Sequence, residues 1–357
     1  MNKTSNKNAL LFDSRFMSVA FFICSIMVVG IHSYNVGTLP RNHIVSYIEG
    51  FFCHGLFVAA VPIFFYLSGY LFFRNIDTLN DVFKKMKTRT KSVLMPFLAW
   101  SSLYFLFYLV ASSLISGLLN DPILLDPMSI VKYIVFYRYS FALWYMHQLI
   151  MYVLLTPIIY IVMKKRWFAV SLLVICCVFS VFVEDRIDIV VLNGNSRSLF
   201  RFNFFSYYLA GCLSVKFIGE VNKIKEYIFR NKKLTLIIMT VLLIAFSFLS
   251  ALSFDEIVPV FYKRIFVPIV AILLFVFVGL IYQKTPYPKQ VSTMIVYGVH
   301  TLVGLCLSFV YTPISPYLPK LAMFIISFAI TSVLSCLFAY ILKRYFKPIY
   351  FVLSGGR

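Results

Sequence analysis

Side chains able to do acid–base chemistry are few in this chain of 357 residues, with 13 carboxylates and 5 histidines. The acids, among them Asp13, Glu49, Asp77, Asp121, Glu184 and Asp255, all fall in connections or at the edges of apolar runs. With no carboxylate inside a run, an ion-coupled transporter and a buried Asp–His dyad are both disfavoured. A general base within the apolar region must then be a histidine, whose unperturbed pKa of ~6.5 suits proton abstraction at neutral pH. His32 is the leading candidate, near the end of the run FMSVAFFICSIMVVGIHSYN from Phe16 to Asn35. His54 opens the second run, His147 follows Trp144 and Tyr145 in the fourth, His300 lies in the ninth, and His43 sits in a connection. For each taken alone, a hydrogen-bonded structural role competes with catalysis. The 7 cysteines show no CxxC or Cys/His metal spacing and read as small hydrophobes, so no metal site and no disulfide framework is expected.

The elements that must hold these groups are membrane helices. The sequence is 61% hydrophobic and 13% charged, where a soluble domain is nearer a quarter charged. Long continuous apolar runs, rather than short alternating ones, point to an all-α integral membrane protein and not a barrel. About ten runs meet the ~20-residue criterion, at 16–35, 51–73, 93–118, 143–163, 167–183, 199–218, 234–253, 258–282, 291–312 and 321–342. Lysine and arginine cluster in alternate connections, including Lys84 to Lys91, Lys164 to Arg166, Lys216 to Lys233 and Lys343 to Lys347. That alternation predicts a multi-pass protein of the inner membrane with both termini cytoplasmic, 1–15 forming a polar N-terminus and 343–357 a tail. The net charge of +20 is thereby explained by topology, and its division into separate clusters argues against nucleic-acid binding. The first run is too long for a signal peptide and lacks a cleavage site, so it reads as a retained helix. Pro62, Pro96, Pro157 and Pro268 are expected to kink or start helices. Residues 1–357 read as one membrane domain with no appended soluble domain.

Five stretches, in order, resemble the acyltransferase-3 family of membrane acyltransferases. PIFFYLSGYLF at 62–72 looks like its FF-x-x-SG-[FY] signature, in which Ser68 and Gly69 leave a thin spot for a helix or ligand. IMVVGIH at 26–32 is similar to the first-helix VV-x-x-H, and RTKSVLMPFLAW at 89–100 to the basic, proline-containing entry to the third helix. ALWYMHQLIMYVLLTPII at 142–159 and VYGVHTLVG at 296–304 resemble the fourth helix and the late Y-x-x-H helix. One departure is that many members carry an arginine eleven positions before the histidine, where this chain has Phe21; Arg15 is the nearest arginine upstream.

The resemblance implies transfer of an acetyl group from acetyl-CoA, a donor substrate rather than a resident cofactor. The acceptor would be a hydroxyl of a cell-surface polysaccharide (O-antigen, capsule or exopolysaccharide) or of its lipid-linked precursor. His32 would be the base; Arg201, Ser68 or backbone N–H groups would face the oxyanion, and His300 or His147 would support or relay. Lys87, Arg89 and Lys91, with Arg15, would receive the CoA phosphates, and Tyr70 and Trp144 offer aromatic faces to a sugar. Arg15 and His32 lie ~25 Å apart along one helix at ~1.5 Å per residue. The acetyl group must therefore travel deep into the bundle or be relayed. A transporter of a glycolipid or small solute is the alternative from another class.

Overall fold

The computed structural model describes residues 12–33, 43–114, 122–182, 186–192, 195–254, 260–289 and 291–356. Asp121, Glu184, Asp185, Asp255, Glu256 and most of the polar N-terminus lie outside the described residues. Helix α1 (Ser14–Ile31) starts at Asp13, whose carboxylate accepts the Phe16 N–H at 2.7 Å. Burial works against that charge, but the Phe16 N–H and the Tyr282 hydroxyl outweigh it and hold the carboxyl below its usual range. A continuous 30-residue rod follows: α2 (Ile44–Gly50), a π-helical turn (Phe51–Leu56), a 3₁₀ turn (Phe57–Ala59) and α3 (Ala60–Phe73). Helix α4 (Leu79–Arg89) passes through a second π-helical turn (Thr90–Leu94) into α5 (Met95–Leu114). Both π-helical turns come shortly before a proline, Pro62 or Pro96. Four residues before Pro96 is Ser92, inside the second π-helical turn, and four before Pro62 is Val58, inside the 3₁₀ turn; at those carbonyls the missing N–H and the ring's clash keep the regular ladder from closing.

After the short α6 (Pro127–Val135), α7 (Trp144–Leu154) and α8 (Thr156–Met163) form a pair bent by 52° next to Pro157. Then come α9 (Arg166–Phe182) and a hairpin of β1 (Arg186–Leu192) and β2 (Asn195–Arg201). The rest is helical: α10 (Phe202–Lys216), α11 (Ile218–Arg230), α12 (Lys232–Phe254), α13 (Val260–Ile281), α14 (Thr293–Ile314), α15 (Lys320–Tyr345) and α16 (Lys347–Ser354). Among the described residues 7 helices are long and apolar enough to cross a bilayer, or 8 with the bent pair counted as one span. Helices α9 and α10, with 17 and 15 residues, occupy the places of two further predicted runs; α9 equals its run in length and α10 is shorter than its own. The fold is an all-α membrane bundle.

Three expectations change. Helix α1 stops at Ile31, so His32 caps it rather than lying within it. The 184–198 connection contains most of a hairpin, whose second strand delays the sixth run until Phe202; Gln148, fully buried, anchors that strand by donating to the Ser198 carbonyl (2.9 Å) and accepting the Arg201 N–H (2.9 Å). Glu49, placed at the edge of a run by sequence, is fully buried within the 30-residue rod, because Gly50 keeps a helical conformation and the helix continues through it into the π-helical turn.

The bundle is drawn tight by backbone contact. Gly69 on α3 faces the Tyr208 carbonyl of α10, and Gly211 on α10 faces the Tyr66 carbonyl of α3, both too close to admit a Cβ. The thin spot at Ser68 and Gly69 is therefore a helix crossing. Beside it Phe65 packs on Tyr145, Tyr152 and Phe204, with ring centroids 4.7, 5.2 and 5.4 Å away. Contacts also define one basic end of the bundle: Lys85 Nζ donates to the Arg74 carbonyl (2.6 Å), Tyr160 to the Asp77 carbonyl (2.8 Å), and Arg166 pairs with Glu220 (2.7 Å). The end of α1, the end of α14 and the start of α15 lie at the far end.

Candidate active site

Where the end of α1 meets α14, two histidines come together. His32, the residue that ends α1, and His300, in the second turn of α14, have ring centroids 4.9 Å apart at an interplanar angle of 46°. His300 is fully buried, and its Nδ1 lies 2.6 Å from the Tyr297 carbonyl oxygen. A carbonyl can only accept, so Nδ1 carries the proton and Nε2 keeps the lone pair. That Nε2 is buried and has no hydrogen-bond partner among the described residues. His32 is exposed, into a cavity of about 420 Å³ between α1, α14 and α15.

The lining of this cavity is rich in hydroxyls: Ser33, Thr301, Ser308, Tyr311, Thr312, Ser315, Ser327 and Thr331, with Lys320 at the start of α15. Tyr311 Oη and Thr331 Oγ1 are buried there without partners among the described residues. Buried polar atoms rarely stay unpaired, so the cavity is suited to a ligand carrying many hydroxyls. Among its described lining residues there is no carboxylate. No group of three or more His, Cys, Asp or Glu among the described residues could hold a metal ion.

The pair is held by its neighbours. Gly298 has no room for a Cβ because the Trp100 indole lies against it, and the Trp100 Nε1–H donates to the Leu353 carbonyl (3.1 Å). Tyr104 donates to the Gly298 carbonyl (2.9 Å) and bonds Thr301, while Tyr297 bonds the Ala142 carbonyl. Helix α5 thus fixes the turns of α14 on both sides of His300. On α1, the Phe57 ring packs on Gly30 and Cys53 Sγ lies 3.4 Å from its carbonyl, just before His32. Sequence reasoning missed these supports and the hydroxyl lining. The signal for the lining was there: Thr301, Gly304, Ser308 and Thr312 recur at three or four residues along one face of an apolar helix.

The other sequence candidates lie elsewhere. Ser68 bonds Tyr145 at 3.0 Å in the core. His147 packs among Phe97, Phe136 and Tyr137, and Arg201 lays its guanidinium 4.5 Å from the Trp144 ring; none of these lines the histidine cavity. Tyr70 is buried against Phe12, 5.1 Å between centroids. Arg15 donates to the Tyr282 and Thr285 carbonyls (3.3 and 3.4 Å) at the end of α13, and Phe21 stacks on Phe64. Lys87 and Lys91 are exposed at the basic end. Arg89 is half-buried between them, and its charge reaches the Tyr208 and Tyr145 hydroxyls. From there Tyr145 meets Tyr297 (5.8 Å) and Tyr297 meets His300 (5.9 Å), ring to ring. Ring contacts thus form an interior line from Tyr145 through Tyr297 to the histidine pair, with Arg89 within electrostatic reach of its start.

The family profile described as an acyltransferase domain matches residues 22–344, which includes both histidines and every stretch of that interior line. The chain belongs to the acyltransferase-3 family. It is 28% identical over 132 residues to the succinoglycan biosynthesis protein ExoH of Rhizobium meliloti (strain 1021), a match that covers 36% of this chain and 36% of that protein. No solved structure matches. Within the span that the family profile matches, the histidine cavity is a place in the fold where an imidazole, that of His32, faces open space.

Proposed function

We propose that the protein transfers an acetyl group from acetyl-CoA to a hydroxyl of a cell-surface polysaccharide, such as O-antigen, capsule or exopolysaccharide, or of its lipid-linked precursor. The observation that carries this reading is a histidine pair beside a hydroxyl-lined cavity, with a buried ring nitrogen that has no partner among the described residues. The similarity to a succinoglycan biosynthesis protein supports a polysaccharide acceptor.

In this reaction His32, which faces the cavity, takes the proton of the acceptor hydroxyl as its oxygen forms a bond to the thioester carbonyl carbon. The negative charge moves to the carbonyl oxygen. When that carbonyl re-forms, the C–S bond breaks and the CoA thiolate recovers the proton from the His32 imidazolium. The lone pair on His300 Nε2 stabilises the imidazolium between these steps. Donor phosphates bind Lys87, Arg89 and Lys91 at the basic end, and the pantetheine arm follows the line from Arg89 past Tyr208 and Tyr145 to Tyr297. This arrangement needs the basic end and both termini in the cytoplasm of an inner-membrane protein, with the acceptor entering from the other side.

The test uses membranes containing the intact chain, incubated with acetyl-CoA labelled in the acetyl group. Label recovered in glycan, and absent from membranes lacking the chain, is the expected result. Movement of glycolipid or solute without consumption of acetyl-CoA would replace the enzyme reading by transport.

A further inference from the structure

A second groove, of about 940 Å³, shares no lining residue with the histidine cavity. It runs between α1, α3, α9, α10 and α13, and α11 closes it at the basic end. Its walls are apolar through most of their depth, with Phe16, Ile63, Tyr66, Ile269, Ile272 and Phe275 among them. From Arg264 to Gly279 it follows α13 for ~22 Å at ~1.5 Å per residue, deeper than the ~15 Å of one leaflet in a ~30 Å core.

Among the described lining residues, charged groups stand at its two ends. At the far end Arg264 donates to the Val181 carbonyl (3.2 Å). At the basic end Lys225 and Lys232 stand with Asp13, whose carboxylate accepts from the Phe16 N–H and the Tyr282 hydroxyl, each at 2.7 Å, and lies within electrostatic reach of Lys225. Two cations against one engaged acid leave this mouth positive. Helix α11 is amphipathic: Val221, Ile224 and Ile228 turn to the groove, Lys223 and Glu226 do not line it, and no residue of the helix is buried. Such a helix lies in the plane of a membrane interface. Apolar walls within the bilayer take hydrocarbon chains, and a positive mouth at the level of the headgroups takes a phosphate.

We propose that this groove binds one anionic phospholipid from the leaflet at the basic end. Its phosphate sits at Lys225 and Lys232, and its acyl chains lie against α3, α10 and α13. The site is separate from the acetyl-transfer reading and stands whether or not that reading holds.

The experiment is native mass spectrometry of the full-length protein in detergent, titrated with phosphatidylglycerol or with phosphatidylcholine of identical chains. The protein is expected to retain one phosphatidylglycerol at least tenfold more strongly than phosphatidylcholine. Replacing both lysines (Lys225→Glu with Lys232→Glu) should abolish the preference. Ile272→Trp, at an exposed position on the groove wall, should lower retention of both lipids while leaving the melting temperature in place. Equal retention of the two lipids by the unaltered protein would overturn the proposal. So would unchanged phosphatidylglycerol binding in both variants, or selective retention of a polyprenyl phosphate that phosphatidylglycerol fails to displace.

Discussion

Removing the imidazole of His32 leaves His300 as the remaining histidine of the cavity, and removing His300 leaves His32 without its buried neighbour. General-base catalysis contributes roughly 10²–10⁴ in rate, or ~3–5 kcal/mol at ~1.36 kcal/mol per tenfold. Each single change, His32→Ala or His300→Ala, should therefore lower acetyl transfer by a factor in that range. The 4.9 Å between ring centroids makes the two rings one device. Residues that act as a unit are strongly non-additive, so the double variant should be no slower than the slower single one. Two independent contributions would instead multiply to roughly 10⁴–10⁸. The assay is the initial rate of labelled acetyl transfer to glycan in membranes, normalised to protein amount. His300→Asn, whose amide N–H takes the place of Nδ1 and can still donate to the Tyr297 carbonyl, controls for the ~1 kcal/mol of stability that a lost hydrogen bond costs. Multiplicative losses, or either single variant keeping more than half the rate, would refute the reasoning.

Further outcomes follow from the same geometry. Gly211→Ala drives a methyl group into the Tyr66 carbonyl and should destabilise the protein by ~1–3 kcal/mol, the usual range for overpacking, seen as a lower melting temperature in detergent. Arg89→Ala should raise KM for acetyl-CoA more than it lowers kcat, and more than Lys87→Ala or Lys91→Ala does, because Arg89 is half-buried toward the interior line while the lysines are exposed; equal effects in steady-state kinetics would remove that line from the donor route. For topology, Tyr317→Cys (85% exposed, far end) should react with an impermeant maleimide on intact cells, and Tyr227→Cys (80% exposed, on α11) only after the membrane is opened. The reverse pattern would turn the protein over in the membrane.

The membrane-spanning character and the positions of most helices were legible in the run lengths, because ~20 apolar residues in succession have no other stable home than a bilayer. Interruptions were less legible. The end of α1 at Ile31 falls where the run gives way to His32, Ser33 and Asn35, a few residues short of the limit drawn from sequence, and the hairpin 186–201 holds its place through bonds to Gln148, a partner some fifty positions away in sequence. Hydropathy does not register the second of these. Glu49 shows the same limit in reverse, since a single acid beside a glycine reads as the edge of a run although the helix continues through it.

From sequence alone came the helical membrane class, the family resemblance and the short list of histidines, since each depends on composition or on local order along the chain. Tertiary structure decided which histidines lie together. It set His300 against His32 and left His147 among aromatic rings. It also resolved Ser68 and Gly69 as a helix crossing, and separated a hydroxyl-lined cavity from a greasy groove. The reason is physical: a helix face meets its partner through crossings such as that of Gly69 with Gly211, and only those crossings determine which distant side chains share a wall.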